Sequence, residues 1–250
     1  MTRGDLIRIG SVLVLIGAAL AYVLNAGPVT WGPLALSLQV ALSATLVTLV
    51  VGTALAVLLD WQRLPLRDFI DAIISAPLVL PPTVLGYYLI VSLGPESAIG
   101  RAWEYVFGSQ IIFTFKAAVI AAAVGSLPLV VRSVRVGLGS VEPNLKSAAR
   151  TLGASPLRVF FTVTLPLAAP GVIAGGMLGF ARALGDYGAT MMFAGSKIDG
   201  TATGAIAVMD FLYANKEAET RTMGIVMTLV GVSMLYLANR LSRRINPLRG

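Results

Sequence analysis

The residues with the most chemistry to offer sit inside an otherwise apolar run. In Phe180-Ala-Arg-Ala-Leu-Gly-Asp-Tyr-Gly-Ala-Thr190, Arg182, Asp186 and Thr190 recur every four residues, which places them on one face of a helix. A charge at the centre of a bilayer costs a few kcal/mol even on lenient scales, so this face must look into protein or water. Two readings fit: an Arg182–Asp186 pair that fixes helix packing, or a polar group lining a translocation path or its gate. A second candidate is Leu80-Pro-Pro-Thr-Val-Leu-Gly-Tyr-Tyr88. Each proline removes a backbone donor that lipid cannot replace, so Pro81 and Pro82, with Thr83 beside them, predict a kink that faces protein or a water-filled path. Acid–base, nucleophilic and metal chemistry are poorly supplied. There is no Cys and no His, so neither a thiolate nor an imidazole metal site is expected, and no catalytic residue is assigned. No Gly-x-x-x-x-Gly-Lys-Ser/Thr loop is present to cradle a nucleotide, so this chain is expected to bind no cofactor.

These residues need membrane helices to position them. Apolar residues make up 56% of the 250 and charged ones 12%, against about 25% charged in an average soluble protein. The chain therefore reads as an all-α, polytopic membrane protein with six transmembrane helices in a lipid bilayer. The spans are expected at Ile7–Leu24, Leu36–Leu59, Ala72–Leu93, Ile111–Val131, Pro170–Ala194 and Met223–Leu241, each near the ~20 residues that a bilayer requires. The basic start and Ala19-Leu20-Ala21 also fit a cleaved signal peptide, which would leave five spans and the same downstream orientation. Residues 1–34 form a peripheral helix, 35–241 the core and 242–250 a basic tail. Lys116 lies close enough to one interface to snorkel. Gly171, Gly175 and Gly179, four residues apart, allow another helix to approach closely in lipid. Ala205–Tyr213 is apolar but too short to cross, and reads as interfacial or re-entrant.

Loop charges set the orientation. With both termini in the cytoplasm, thirteen basic residues lie inside: Arg3, Arg8, Arg63, Arg67, Arg132, Arg135, Lys146, Arg150, Arg158, Arg240, Arg243, Arg244 and Arg249. Four lie outside: Arg101, Lys197, Lys216 and Arg221. That asymmetry accounts for most of the net charge of +7 without nucleic acid as a partner.

The loop between the fourth and fifth spans carries a further pattern. Leu145, Ala148, Ala149 and Leu152 fall at i, i+3, i+4 and i+7, one face of a short helix, with Lys146 and Arg150 turned away. Pro143 suits its first turn, and Gly153 can take the left-handed conformation that ends it. Ser155-Pro156 reads as the cap and first residue of a second helix running toward Leu165-Pro166. The unit is a cytoplasmic helical hairpin whose apolar face needs a partner.

The order Ala148-Ala149, Gly153, Leu165-Pro166 resembles the cytoplasmic "EAA" loop of permease subunits from binding-protein-dependent ABC importers. Ser147 stands where that family has Glu. The stretches Leu80–Tyr88 and Phe180–Thr190 are similar to motifs of permeases for molybdate and related oxyanions, and the resemblance covers about 36–195. It implies a coupling helix at Leu145–Gly153 that docks on an ATPase, and a homodimer served by two ATPase subunits that use ATP and magnesium. It also implies an extracytoplasmic binding protein that delivers the oxyanion, and a location in the bacterial inner or plasma membrane. Thr83 and Thr190 are then expected to offer hydroxyl donors to the anion. Sulfate and tungstate importers remain alternatives, as do, from other classes, an ion-coupled secondary transporter and a membrane scaffold.

Overall fold

The computed structural model describes residues 30–61, 64–197 and 200–245, with 237–245 described by backbone alone. The expected span Ile7–Leu24, the signal-peptide question and the end of the basic tail lie outside the described residues. Every regular element among them is helical. In chain order these are α1 (Trp31–Asp60), α2 (Arg67–Val79), α3 (Pro82–Leu93), α4 (Ala98–Phe107) and α5 (Phe115–Gly139). After them come α6 (Pro143–Thr151), α7 (Pro156–Leu184, containing a π-helical turn at Phe160–Thr164), α8 (Gly188–Ala194), α9 (Gly204–Tyr213) and α10 (Glu217–Ile245).

Three of these helices, α1, α5 and α7, are long and apolar enough to cross a membrane, and a fourth crossing is added if α2 and α3 count as one broken span. The span expected at Met223–Leu241 lies within the longer α10, which is not among these apolar helices, and three more expected spans differ from what forms. Ala72–Leu93 is not a kinked rod: α2 and α3 meet at 119°. Pro81 excludes its predecessor from the helical region, so Leu80 is extended (φ −70°, ψ 136°), and Pro82 then starts α3 at the position where a missing N–H does no harm. The span expected at Ile111–Val131 starts later and runs further, because Thr114 caps α5 by accepting the Ala117 N–H at 3.3 Å. The span expected at Pro170–Ala194 is divided between the end of a longer helix and a short separate one. α7 begins at Pro156, passes Pro166 and Pro170, and stops at Leu184, with α8 following after a three-residue break.

Two clusters form the core. One gathers Ala41 and Ala44 of α1, Ala118 and Ala121 of α5, Phe180 of α7 and Phe193 of α8. The other joins Ala56 and Leu59 of α1 to Val130 and Val134 of α5 and Ala168 of α7. Alanine dominates the first, as close van der Waals contact between helices in lipid favours, while the second is mostly Val and Leu. At the α5–α7 crossing a Cβ added to Gly175 would lie 3.2 Å from Ser133 Cβ, and one on Gly179 would lie 2.8 Å from Val130 Cγ2. Ser133 Oγ seals the crossing by donating to the Gly171 carbonyl at 3.0 Å. At the same end of α5, Arg135 pairs with Asp71 of α2 at 2.9 Å and Arg132 donates to Ser75 at 3.2 Å.

Candidate functional site

The loop after α5 folds as a tight hairpin. Pro143 opens α6, and Gly153 ends it at φ +81°. The Gly153 N–H reaches the Arg150 carbonyl at 2.9 Å and the Ala154 N–H reaches back five residues to the Ala149 carbonyl at 3.1 Å. That bond pair is a Schellman cap, which needs a left-handed residue at this position. Ser155 Oγ then accepts the Arg158 N–H at 3.4 Å and Pro156 starts α7. Leu145, Ser147 and Ala148 are exposed, Ala149 is half-buried and Leu152 is 88% exposed. Leu157 and Phe161 on α7 are also exposed. Further along, the Leu165 N–H bonds to the Phe160 carbonyl, five residues back, and Pro166 brings no N–H at all. The π turn therefore sits where the hairpin passes into the spanning part of α7.

At the far end of α7, about 40 Å along its axis at 1.5 Å per residue, lies the second polar group. Arg182 Nη1 donates to Asp186 Oδ1 at 2.8 Å. Asp186 Oδ2 accepts both the Thr190 N–H at 2.9 Å and the Thr190 hydroxyl at 2.7 Å. The three residues do meet, but not on one continuous helix, because Asp186 occupies the break and satisfies an N–H of the first turn of α8. Thr190 is 1% exposed and its hydroxyl is committed to Asp186. In this conformation the hydroxyl hydrogen is directed at Asp186.

Pro81, Pro82 and Thr83 are exposed at the α2–α3 bend. The backbone of α3 packs directly on α8. A Cβ on Gly188 would lie 2.8 Å from Pro82 Cβ and 3.2 Å from Thr83 N, and one on Gly86 would lie 3.0 Å from the Ala189 carbonyl oxygen. The two separated motifs thus form one contact. Gly125, near the middle of the 25-residue α5, lies beside Arg182: a Cβ there would sit 3.5 Å from Nη2, an ordinary van der Waals contact.

The family described as binding-protein-dependent transport system inner membrane component matches residues 48–248. The chain belongs to this family. Among its curated relatives, the molybdenum transport system permease protein of Haemophilus influenzae is 40% identical over 216 residues, covering 86% of this chain and 94% of the relative. A probable sulfate transport system permease protein of Chlorella vulgaris is 30% identical, covering 85% of this chain and 79% of the relative. The methionine ABC transporter MetNI in an inward-facing conformation shares the fold with a TM-score of 0.65 at 20% identity, covering 84% of this chain and 93% of that one.

As a member of the binding-protein-dependent inner membrane components, the chain is a multi-pass transport protein whose polar groups are organised by close helix contacts. Sequence spacing did not reveal the parts played by Gly86 and Gly188, because each acts across helices remote in sequence. It also gave no sign of α4. Lys116 Nζ lies 5.3 Å from the Trp103 ring and 5.5 Å from the Phe107 ring, so its cation rests on the aromatics of α4.

Proposed function

We propose that the chain is the permease subunit of an ATP-driven importer that passes molybdate from an extracytoplasmic binding protein into the cell. In this reading six helices cross the bilayer with both termini in the cytoplasm, two copies form the path, and two ATPase subunits grip the hairpins. ATP and magnesium act in those subunits and not in this chain. The observation that carries the mechanism is the continuity of α7: one helix joins the uncovered hairpin to Arg182 and the capped break at Asp186. Motion of the hairpin by the nucleotide subunits is then transmitted as rigid-body movement to the contact between α3 and α8, which opens one side of the path and closes the other. Leu145, Ala148, Ala149, Leu152 and Gly153 supply the docking face, and Leu165 and Pro166 mark where it joins the span.

Molybdate is favoured because the molybdenum permease relative is 40% identical, against 30% for the sulfate permease relative. Membership of a binding-protein-dependent family weighs against the ion-coupled and scaffold readings. The test is to express this chain with its ATPase and binding protein, reconstitute the purified complex in vesicles, and follow labelled molybdate and sulfate. ATP-dependent molybdate uptake that requires the binding protein is expected. Sulfate uptake alone would replace molybdate, and failure of the ATPase to co-purify would remove the proposal.

A further inference from the structure

We infer that Arg182 is the side chain that touches the oxyanion as it passes, and that Asp186 and Thr190 are positioning residues that hold it there. This rests on the importer reading above.

The carboxylate and the guanidinium are unequal partners. Asp186 is 2% exposed, and both of its oxygens are engaged within the chain, Oδ1 by Arg182 and Oδ2 twice by Thr190. It has nothing to offer a ligand, and its charge would repel an anion. Arg182 keeps 28% of its side chain exposed, while Nη1 is the atom bonded to Asp186. A guanidinium carries five N–H donors in a rigid fork. Its position beside Gly125, deep along α5, forbids lipid contact for the exposed part, because a bare cation at that depth is unfavourable in hydrocarbon. The exposed edge therefore looks into the path or toward the second copy.

A tetrahedral dianion leaving water needs donors to replace those it loses, and a planar fork of N–H groups matches two of its oxygens at once. The nearby carboxylate makes the contact weak, and weakness is required: a site on a path must release what it takes up. With two copies around one path, two guanidinium groups would face one dianion. Asp186 fixes the rotamer of Arg182, and Thr190 fixes Asp186.

A purely structural ion pair makes the opposite prediction for one variant. In the double substitution Arg182→Gln/Asp186→Asn no buried charge is left unpaired, so a packing role survives. The complex of permease, ATPase and binding protein is reconstituted in vesicles, and the initial rate of molybdate uptake is read beside the amount of ATPase that co-purifies. The expected result is normal co-purification with uptake reduced about tenfold or more, the loss of one charge-assisted contact. Uptake within about twofold of wild type would overturn the role of Arg182. Should the double variant not assemble, Arg182→Lys decides: it retains the charge and the ion pair but loses the fork, and a rate equal to wild type overturns the inference. Wild-type vesicles that take up neither molybdate nor sulfate would instead sink the importer reading, and the two failures are thereby separable.

Discussion

Gly171 of α7 and Gly137 of α5 meet backbone to backbone: a Cβ placed on Gly171 would lie 2.5 Å from the Gly137 Cα and 3.0 Å from the Ser133 carbonyl oxygen. Neither atom can swing aside, since both belong to helix backbones. The crossing is held at a separation that only glycine permits, and Ser133 adds its hydrogen bond across it.

Gly171→Leu should therefore force α5 and α7 apart. Overpacking of this kind costs about 1–3 kcal/mol in a close-packed interior, and here the displaced atoms are backbone, which favours the upper end. The measure is the thermal midpoint of the detergent-solubilised protein, which should fall, with Gly139→Ala as a control because nothing lies within 4 Å of a Cβ there. An unchanged midpoint for Gly171→Leu would show that the crossing is looser than its geometry.

Thr190→Val removes the hydroxyl that donates to Asp186 at 2.7 Å while keeping the shape of the side chain. Losing a hydrogen bond to a buried charged group costs about 1.5–3 kcal/mol, so the midpoint should drop. The concentration dependence of molybdate uptake should shift only slightly, because the Thr190 N–H still holds Asp186 Oδ2 at 2.9 Å and so keeps Arg182 in place. A clear rise in the apparent KM without loss of stability would return Thr190 to the path.

The spacing of Arg182, Asp186 and Thr190 was legible in the sequence, yet the break between α7 and α8 was not. A four-residue interval satisfies a continuous helix, and it equally satisfies an Asp that caps a new one. Pro81 and Pro82 announced a kink by removing donors, but its size of 119° depends on α8 arriving against α3, which no local rule contains. At Pro166 and Pro170 the error ran the other way. The helix expected to run toward Pro166 and the span expected from Pro170 are joined, since the π turn at Phe160–Thr164 lets α7 run through from Pro156. The hairpin was the most legible part because its determinants, Pro143, Gly153 and Ser155, act on their immediate neighbours.

Lys116→Gln should loosen α4 from the start of α5. A cation over aromatic rings contributes about 0.5–1 kcal/mol at an exposed site, and Lys116 rests on both Trp103 and Phe107. The expected outcome is a small loss of stability with a change in tryptophan emission as Trp103 becomes more mobile. The same emission in wild type and variant would mean that the aromatic pair, whose ring centroids are 4.1 Å apart, holds α4 without the cation.

Gly153 offers a test of coupling separate from folding. No atom lies within 4 Å of a Cβ added there, so a substitution meets open space and acts only through the backbone, which sits at φ +81°. Holding a side-chain-bearing residue in the left-handed region costs roughly 1–2 kcal/mol, and a β-branched residue fares worst. In Gly153→Val the Schellman bonds from Gly153 and Ala154 should therefore break, which changes the angle at which α6 meets α7. The spans are untouched, so membrane insertion should persist while stimulation of ATP hydrolysis by the loaded binding protein falls. Gly153→Asn is the discriminating control. Asn tolerates the left-handed conformation and should retain most of the stimulation, whereas equal losses for Val and Asn would mean that bulk at the ATPase surface, and not the geometry of the turn, is what matters.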